Sequence, residues 1–121
     1  MKAIQYCLKN MMISPNKWEI WWAIVQYEDT NEKKKRPVLI LENNSVASVI
    51  GVAKVTTHSP RNMYDYQISD LESCGLKKDS VIRFDKKIPI KETQLIYKVG
   101  KLNKKDIFQI KARFKGKTTI F

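Results

Sequence analysis

Glycine is scarce in this chain, with four residues in 121. The glycines stand singly, at Gly51, Gly75, Gly100 and Gly116, so no glycine-rich loop of the kind that cradles nucleotide phosphates is present. Long apolar runs are missing too, and the residues before Pro15 do not form the apolar stretch of a secretory signal. We therefore expect neither a nucleotide-binding loop nor a membrane span.

Cysteine and histidine are equally rare. Two cysteines, Cys7 and Cys74, are too few for a disulfide scaffold or a structural zinc site, and this usage is typical of a protein in a reducing cytoplasm. His58 is the single histidine and so the one residue of the type that carries protons near neutral pH. We expect no metal site, no cofactor and no Ser-His-Asp triad.

Positive charge is what the chain has in excess. Lysine and arginine total 23 against 12 acidic residues, a formal net charge of +11, which indicates an acidic partner: RNA, DNA, an anionic membrane or an acidic protein. The charge is clustered at Lys33–Arg36, at Lys77–Lys91 and in residues 98–121. One basic run is usually a solvated surface, but several in a small domain favour binding.

The pattern of apolar residues predicts a mainly β fold. The length suits one domain, which we place at residues 17–121, after a loosely ordered extension of residues 1–16 in which Met11 and Met12 are alternative starts. Short strands at close spacing indicate a small, strongly bent β-barrel. The predicted strands are Glu19–Tyr27, Pro37–Leu41, Val46–Thr56, Tyr66–Ile68, Ser80–Phe84, Lys86–Ile90 and Gln94–Val99.

Three further features complete the predicted fold. Glu28–Lys35 is expected to be a polar loop, and Asp70–Cys74 a helical turn that Gly75 ends. Asn103 is expected to cap a C-terminal helix whose apolar stripe is Ile107, Ile110 and Phe114. The tryptophans at 18, 21 and 22 favour a core or dimer interface over a platform for stacked bases.

Polar residues at strand ends are the candidates for chemistry. Arg83 and Asp85 are two apart in a predicted strand and should share one face. Such a pair is most often a structural ion pair. The functional alternative is RNA cleavage, in which a base accepts the 2′-hydroxyl proton and cations stabilise the phosphorane. Asp85 would then be the base and Arg83 the charge stabiliser, since an arginine is a poor proton donor.

The sequence resembles the MazF/PemK toxin family over about residues 17–116. Each of the matching segments is weak alone, but five occur in the family's order and spacing, and three more favour the PemK-like branch. The first set is Trp18–Trp22, Lys35–Ile40, Val52–Thr57, Lys78–Arg83 and Ile96–Leu102; the second is Thr57–Arg61, Asp65–Ile68 and Gly75–Ser80.

The resemblance implies a Src-homology-3-like barrel of the CcdB/Kid/MazF type and a homodimeric toxin of a type II toxin–antitoxin pair. It further implies a metal-independent endoribonuclease that cuts single-stranded RNA at short sequences, inhibited by the acidic, disordered C-terminal segment of its antitoxin. The family's catalytic residues fall on Arg36, on Thr56 (with Thr57 as a one-place alternative), and on Arg83 and Asp85, which by this resemblance would have the acid and base roles of PemK-type members. The candidates for RNA binding are Lys34, Lys35, Thr57, His58 and Arg61.

The sequence also departs from the family pattern. Trp18-Glu19 stands where a Gly-Asp pair is usual, and a lysine run replaces the usual Gly-Ser-Glu-Gln stretch in the loop of residues 28–35. That loop often contacts RNA in the family. An alternative function is therefore a barrel that binds nucleic acid, or poisons a protein such as DNA gyrase, without cleaving RNA.

Overall fold

The computed structural model describes residues 14–26 and 32–116. Within them, six antiparallel strands form one sheet in the order β4-β5-β3-β2-β1-β6. The elements are β1 (Glu19–Gln26), β2 (Lys33–Asn44), β3 (Val49–Thr56), β4 (Asp65–Gln67), β5 (Val81–Ile90), a 3-10 helix (Glu92–Gln94), β6 (Leu95–Lys101) and α1 (Lys104–Arg113). The predicted mainly β fold with a C-terminal helix is confirmed, and across the described residues the sheet is not closed.

The central strands are apolar on both faces, and each face packs into its own core. Ile20 of β1 belongs to a core with Ile110 and Phe114 from the helix end of the chain. Its neighbour Trp21 points the other way, into a second core with Val38. A strand buried on both sides has a continuous apolar sequence, and the prediction of such a strand is confirmed at Ile20 and Trp21. Farther along β1 the second face is open, because Trp22 is half-buried and Ile24 is 40% exposed.

Strand β2 begins earlier than predicted. Lys33, Lys34 and Lys35 were expected in a loop but pair with Gln26, Val25 and Ile24 of β1. Lysine has little preference for strands, yet these side chains are exposed at the end of the ladder, where backbone pairing decides the conformation. The predicted loop is wrong at these residues, and residues 27–31 lie outside the described part of the chain, as do residues 1–13 of the predicted extension.

Strands β3 and β5 also differ from the prediction. β3 starts at Val49 rather than Val46, because residues 45–48 form a turn in which the Asn44 side chain accepts a hydrogen bond from the Ala47 amide at 3.1 Å. The two strands predicted on either side of Asp85 are one continuous strand, β5. Its pairing with β3 is shifted by a bulge, since Arg83 pairs with Lys54 but Ile88 pairs with Val52.

The segment between β4 and β5 turns at Gly75. The Gly75 amide donates to the Glu72 carbonyl at 3.1 Å, and the Leu76 amide donates to the Leu71 carbonyl at 3.0 Å. Gly75 has φ +76°, and a Cβ there would lie 2.5 Å from the Val99 carbonyl oxygen. Glycine alone suits both the left-handed conformation and the close approach to β6, and the predicted turn ending at Gly75 is confirmed.

Helix α1 is fixed to the sheet by a buried carboxylate. Its predicted cap is present, with the Asn103 side chain accepting from the Lys105 amide. Asp106 is fully buried and accepts hydrogen bonds from the Tyr66 hydroxyl at 2.6 Å, the Ser69 hydroxyl at 2.7 Å and the Asp70 amide at 3.2 Å. Burial alone would raise the pKa of Asp106, but these hydrogen bonds outweigh burial and hold it below its ordinary value. No helix in the described residues is long and apolar enough to cross a membrane.

We predict that Asp106→Asn lowers the free energy of unfolding at pH 7 by about 2 kcal/mol, because the amide replaces an anion that accepts from four donors: the Tyr66 hydroxyl, the Ser69 amide and hydroxyl, and the Asp70 amide. Since the folded protein lowers the pKa of Asp106, its contribution is present above the unfolded-state pKa of about 4 and is lost as pH falls below that value. The difference between wild type and variant, measured by urea unfolding, should therefore narrow between pH 7 and pH 3. The exposed Asp79→Asn variant is the control, and a pH-independent difference would contradict the prediction.

Candidate active site

A groove of about 870 Å³ lies where the end of β3 meets the start of β2, the middle of β6 and the loop that follows Gly75. Strand pairing brings these segments together from distant parts of the sequence. The described residues that line this groove are Trp22, Lys34, Lys35, Arg36, Pro37, Val55, Thr56, Thr57, His58, Gly75, Leu76, Lys77, Lys78, Ser80, Tyr97, Lys98 and Val99.

The groove is strongly cationic. Its described lining contains five lysines and Arg36 and no aspartate or glutamate. Two of the lysines form ion pairs with carboxylates outside the lining: Lys98 with Glu19 at 3.0 Å and Lys34 with Glu32 at 3.9 Å. Cations that converge in a concave surface raise the local concentration of an anionic ligand, so the groove is suited to a polyanion.

One wall of the groove is aromatic. The ring centroids of Trp22 and Tyr97 are 6.4 Å apart, and the Lys35 ammonium lies 5.7 Å from each centroid. Tyr97 is 49% exposed, and Trp22 is half-buried. Trp18 and Trp21 are buried, as the core interpretation predicted, whereas Trp22 faces this groove.

Thr56 and Thr57 occupy different environments at the groove. Thr56 is buried, and its hydroxyl accepts a hydrogen bond from the His58 amide at 3.3 Å. Thr57 and His58 are exposed. The Thr56 side chain therefore shapes the turn out of β3, while Thr57 and His58 present their side chains at the surface.

A second cluster of charge lies beside the groove, on the sheet. Lys54 pairs with Val38 on one side and with Arg83 on the other, and Arg36 lies on the face of Val38, two residues earlier along β2. Lys54 is half-buried. Burial, followed by the positive charges of Arg36 and Arg83, lowers the pKa of Lys54, and Asp85 acts in the opposite direction. Arg36 thus belongs to both the groove and this cluster.

Asp85 is held by Arg61. It lies in the bulge of β5, its side chain is 43% exposed, and its ion pair is with Arg61 at 3.4 Å. The expected structural pair of Arg83 with Asp85 is wrong, because the bulge breaks the simple alternation of strand faces. The Arg83 Nε atom is buried and makes no hydrogen bond within the described residues.

Arg61 itself is anchored on a buried carboxylate. Asp65, which is buried, accepts from the Arg61 Nε at 2.9 Å and from Nη2 at 3.2 Å. These hydrogen bonds raise the pKa of Arg61 and hold the pKa of Asp65 below its ordinary value. Two carboxylates thus engage Arg61 and offset its charge, so it attracts a phosphate less strongly than a cation without acidic neighbours would.

The structure divides the predicted site residues into two groups. Six of them line the groove: Lys34, Lys35, Arg36, Thr56, Thr57 and His58. The remaining residues, Arg61, Arg83 and Asp85, lie outside its lining, and electrostatic contacts with Lys54 connect the last two to Arg36. Within the described residues, no three His, Cys, Asp or Glu side chains are arranged to hold a metal ion.

Sequence reasoning missed Lys54, Lys77, Lys78 and Tyr97 as site residues. Lys54 did leave a signal, because a lysine inside the apolar run Val49–Thr56 interrupts a strand that is otherwise buried. Burying a charged side chain in a strand costs free energy, so a lysine at such a position indicates a structural or functional role. The others gave no local signal, because only the fold brings the loop after Gly75 and β6 to the groove.

Solved structures of similar fold include toxins and endoribonucleases. Toxin MazF-mt6 of Mycobacterium tuberculosis is 25% identical, with TM-score 0.56 over 78% of this chain and 95% of that chain. An endoribonuclease from a mycobacterial species, solved with its cognate antitoxin, is 14% identical, with TM-score 0.65 over 83% of this chain and 90% of that chain. A chain of the MazE-MazF complex of Deinococcus radiodurans is 12% identical, with TM-score 0.66 over 87% of this chain and 96% of that chain.

The fold and groove therefore define a small toxin-like β domain with a cationic site. The model of the PemK-like, MazF-like toxins of type II toxin–antitoxin systems matches residues 16–116, and the chain belongs to this family. The predicted resemblance is confirmed. No curated protein sequence matches the chain.

We predict that removing a charge near Lys54 shifts its pKa in a direction set by the sign of that charge. Arg83→Gln should raise the pKa of Lys54, because it removes a repelling cation, and Asp85→Asn should lower it, because it removes an attracting anion. The measurement is an NMR titration of the lysine 13Cε signals. Arg113→Gln, on the helix, should leave Lys54 unchanged. Shifts of the Lys54 pKa in the same direction for Arg83→Gln and Asp85→Asn would contradict the proposed positions of these charges around Lys54.

Proposed function

We propose that this toxin is an endoribonuclease that cuts single-stranded RNA in the cytoplasm, without a metal, by attack of a 2′-hydroxyl on the adjacent phosphorus. The observation that carries the proposal is the cationic groove, which holds Arg36, Thr56 and Thr57 and has no acidic residue in its described lining. The fold neighbours described as endoribonucleases support the same reaction class.

Single-stranded RNA suits the groove better than a duplex does. Proteins that bind single strands combine a cationic track for the backbone with aromatic rings on which bases stack. Lys34, Lys35 and Lys78 supply cations, and Trp22 and Tyr97 supply partly exposed rings. A rigid A-form duplex keeps its bases inside and would leave these rings unused.

In the proposed mechanism Asp85 accepts the 2′-hydroxyl proton. Arg36 and Arg83 stabilise the doubly charged phosphorane, and a preorganised donor of this kind is typically worth about 10²–10³ in rate. Arg83 pairs with Lys54 of β3 and with Asp65 of β4 in the sheet, and its Nε is buried, so the fold fixes the position of this guanidinium. Arg61 forms ion pairs with both Asp65 and Asp85, and the buried Asp65 fixes its position. We therefore assign Arg61 the role of positioning Asp85, alongside the predicted RNA contact.

The proposed partners follow from the same charge. An acidic, disordered antitoxin segment would compete with RNA for the groove, which is supported by the antitoxin complexes of structural relatives. We further propose a homodimer. β6 is an end strand of the described sheet and carries Ile96, which is 42% exposed, so a second copy could cover it.

We predict that the purified protein cuts a long single-stranded RNA at discrete positions in the presence of EDTA and leaves 2′,3′-cyclic phosphate ends. Arg36→Ala and Asp85→Asn should each lower the rate about 100-fold or more. Lys105→Ala removes an exposed positive charge on the helix and should keep the wild-type rate. The measurements are gel analysis of fragments and identification of their 3′ ends.

Two outcomes would contradict the proposal. The first is the absence of cleavage by the wild-type protein, and the second is equal cleavage by wild type and both active-site variants. Tight, salt-sensitive RNA binding without cleavage would indicate the alternative function of a binding protein.

A further inference from the structure

The resemblance places the family's acid role on Arg83, but the mechanism proposed above uses Arg83 as a charge stabiliser and so leaves the reaction without a proton donor. When the 2′-oxygen attacks phosphorus, the bond to the 5′-oxygen breaks, and that oxygen needs a proton to leave as a hydroxyl. Arg36 and Arg83 can stabilise charge, but a guanidinium releases a proton only at very high pH. The identity of the residue that supplies this proton is a question that rests on the proposed function.

Lys54 occupies the centre of the charged cluster. It lies on β3, between Val38 of β2 and Arg83 of β5, and the cluster is built from strands rather than from loops. Lys54 is half-buried in an otherwise apolar strand, so its position is well defined by the surrounding sheet. A proton donor needs such a fixed position beside the reacting atoms.

The surroundings of Lys54 combine the residues that the proposed reaction requires. The charged groups that act on it are Arg36 from β2 and Arg83, Asp85 and Lys86 from β5. Two of these are the proposed charge stabilisers, and Asp85 is the proposed base. A phosphate held by Arg36 and Arg83 would therefore lie within reach of the Lys54 side chain.

Lys54 is also a better acid than an ordinary lysine. Burial and then the repulsion of Arg36 and Arg83 lower its pKa, so its ammonium gives up a proton more readily. Enzymes tune lysine in this way for proton transfer, since a pKa closer to the working pH favours catalysis. His58, the other donor to consider, is exposed and lines the groove rather than the cluster.

We propose that Lys54 is the general acid that protonates the leaving 5′-oxygen. The 2′-oxygen forms its bond to phosphorus as its proton passes to the Asp85 carboxylate. The bond from phosphorus to the 5′-oxygen breaks, and its electron pair takes a proton from the Lys54 ammonium. The products are a 2′,3′-cyclic phosphate and a 5′-hydroxyl, with Asp85 protonated and Lys54 neutral. Proton exchange with water restores both groups, and no metal or other reactant enters the balance.

A substrate with sulfur in place of the 5′-bridging oxygen tests this role. A thiolate leaves without a proton, so the general acid becomes dispensable. We expect Lys54→Met to cut normal RNA about 100-fold more slowly than wild type and to cut the sulfur substrate within a few-fold of the wild-type rate. Arg36→Ala, which lacks a charge stabiliser, should stay slow on both substrates.

Lys54→Arg is the matched variant, because it keeps the positive charge but donates a proton poorly. It should be as slow as Lys54→Met on normal RNA and be rescued by the sulfur substrate. The pH profile adds an independent measurement. The wild-type rate on normal RNA should fall at high pH as Lys54 loses its proton, and this fall should be absent for the sulfur substrate.

The possible results separate this inference from the proposed function. If wild type cuts RNA but Lys54→Met and Lys54→Arg are equally slow on both substrates, the general-acid role is wrong and the proposed function stands. Wild-type rates for either Lys54 variant on normal RNA would overturn the role as well. If the sulfur substrate restores the cleavage rate of His58→Ala but not the rates of the Lys54 variants, His58 is the general acid instead. If wild type cuts neither substrate, both proposals fail.

Discussion

The burial of β1, β2 and β3 on both faces is the constraint on which the rest of the structure depends. Where a strand packs into a core on each side it leaves little room for charge, as Ile20 and Trp21 show at successive positions of β1. Lys33 and Lys34 accordingly lie at the exposed end of β2, whereas Lys54 is half-buried inside β3 and forms the charged cluster with Arg83. Antiparallel pairing brings these strands together, and the bulge in β5 sets which charged residues meet.

Arg36 connects the two parts of the site. It lies where β2 passes from its exposed lysines to its buried apolar residues, lines the groove and acts electrostatically on Lys54. The groove has the character of a binding surface, with exposed rings and cations. In the proposed function the cluster around Lys54 is the reaction centre, in which charges of both signs come from neighbouring strands. A nucleic acid bound in the groove would meet the cluster at Arg36.

The residue pattern predicted the strands better than it predicted the side-chain partners. Apolar runs identified β1, β2 and β3, and the helix was found from its cap at Asn103 and its apolar stripe. The partner of Asp85 was wrong, because a bulge in β5 cannot be read from a period of two. Asp106 was missed as a core residue, since its burial depends on donors from Tyr66, Ser69 and Asp70, which are about forty residues away in the sequence.

By itself, the sequence determined the family, the mainly β class, the excess of positive charge and the residue types that carry the proposed chemistry. These properties can be read from short stretches of sequence, because a motif, an apolar run or a basic run is complete within a few consecutive residues. Only the tertiary structure decided which of those residues share a site. Strand pairing placed Lys54 beside Arg83 and Tyr97 beside Trp22, and the loop before β4 brought Arg61 to Asp85. Such contacts depend on the register, bulges and loops that distant segments form together.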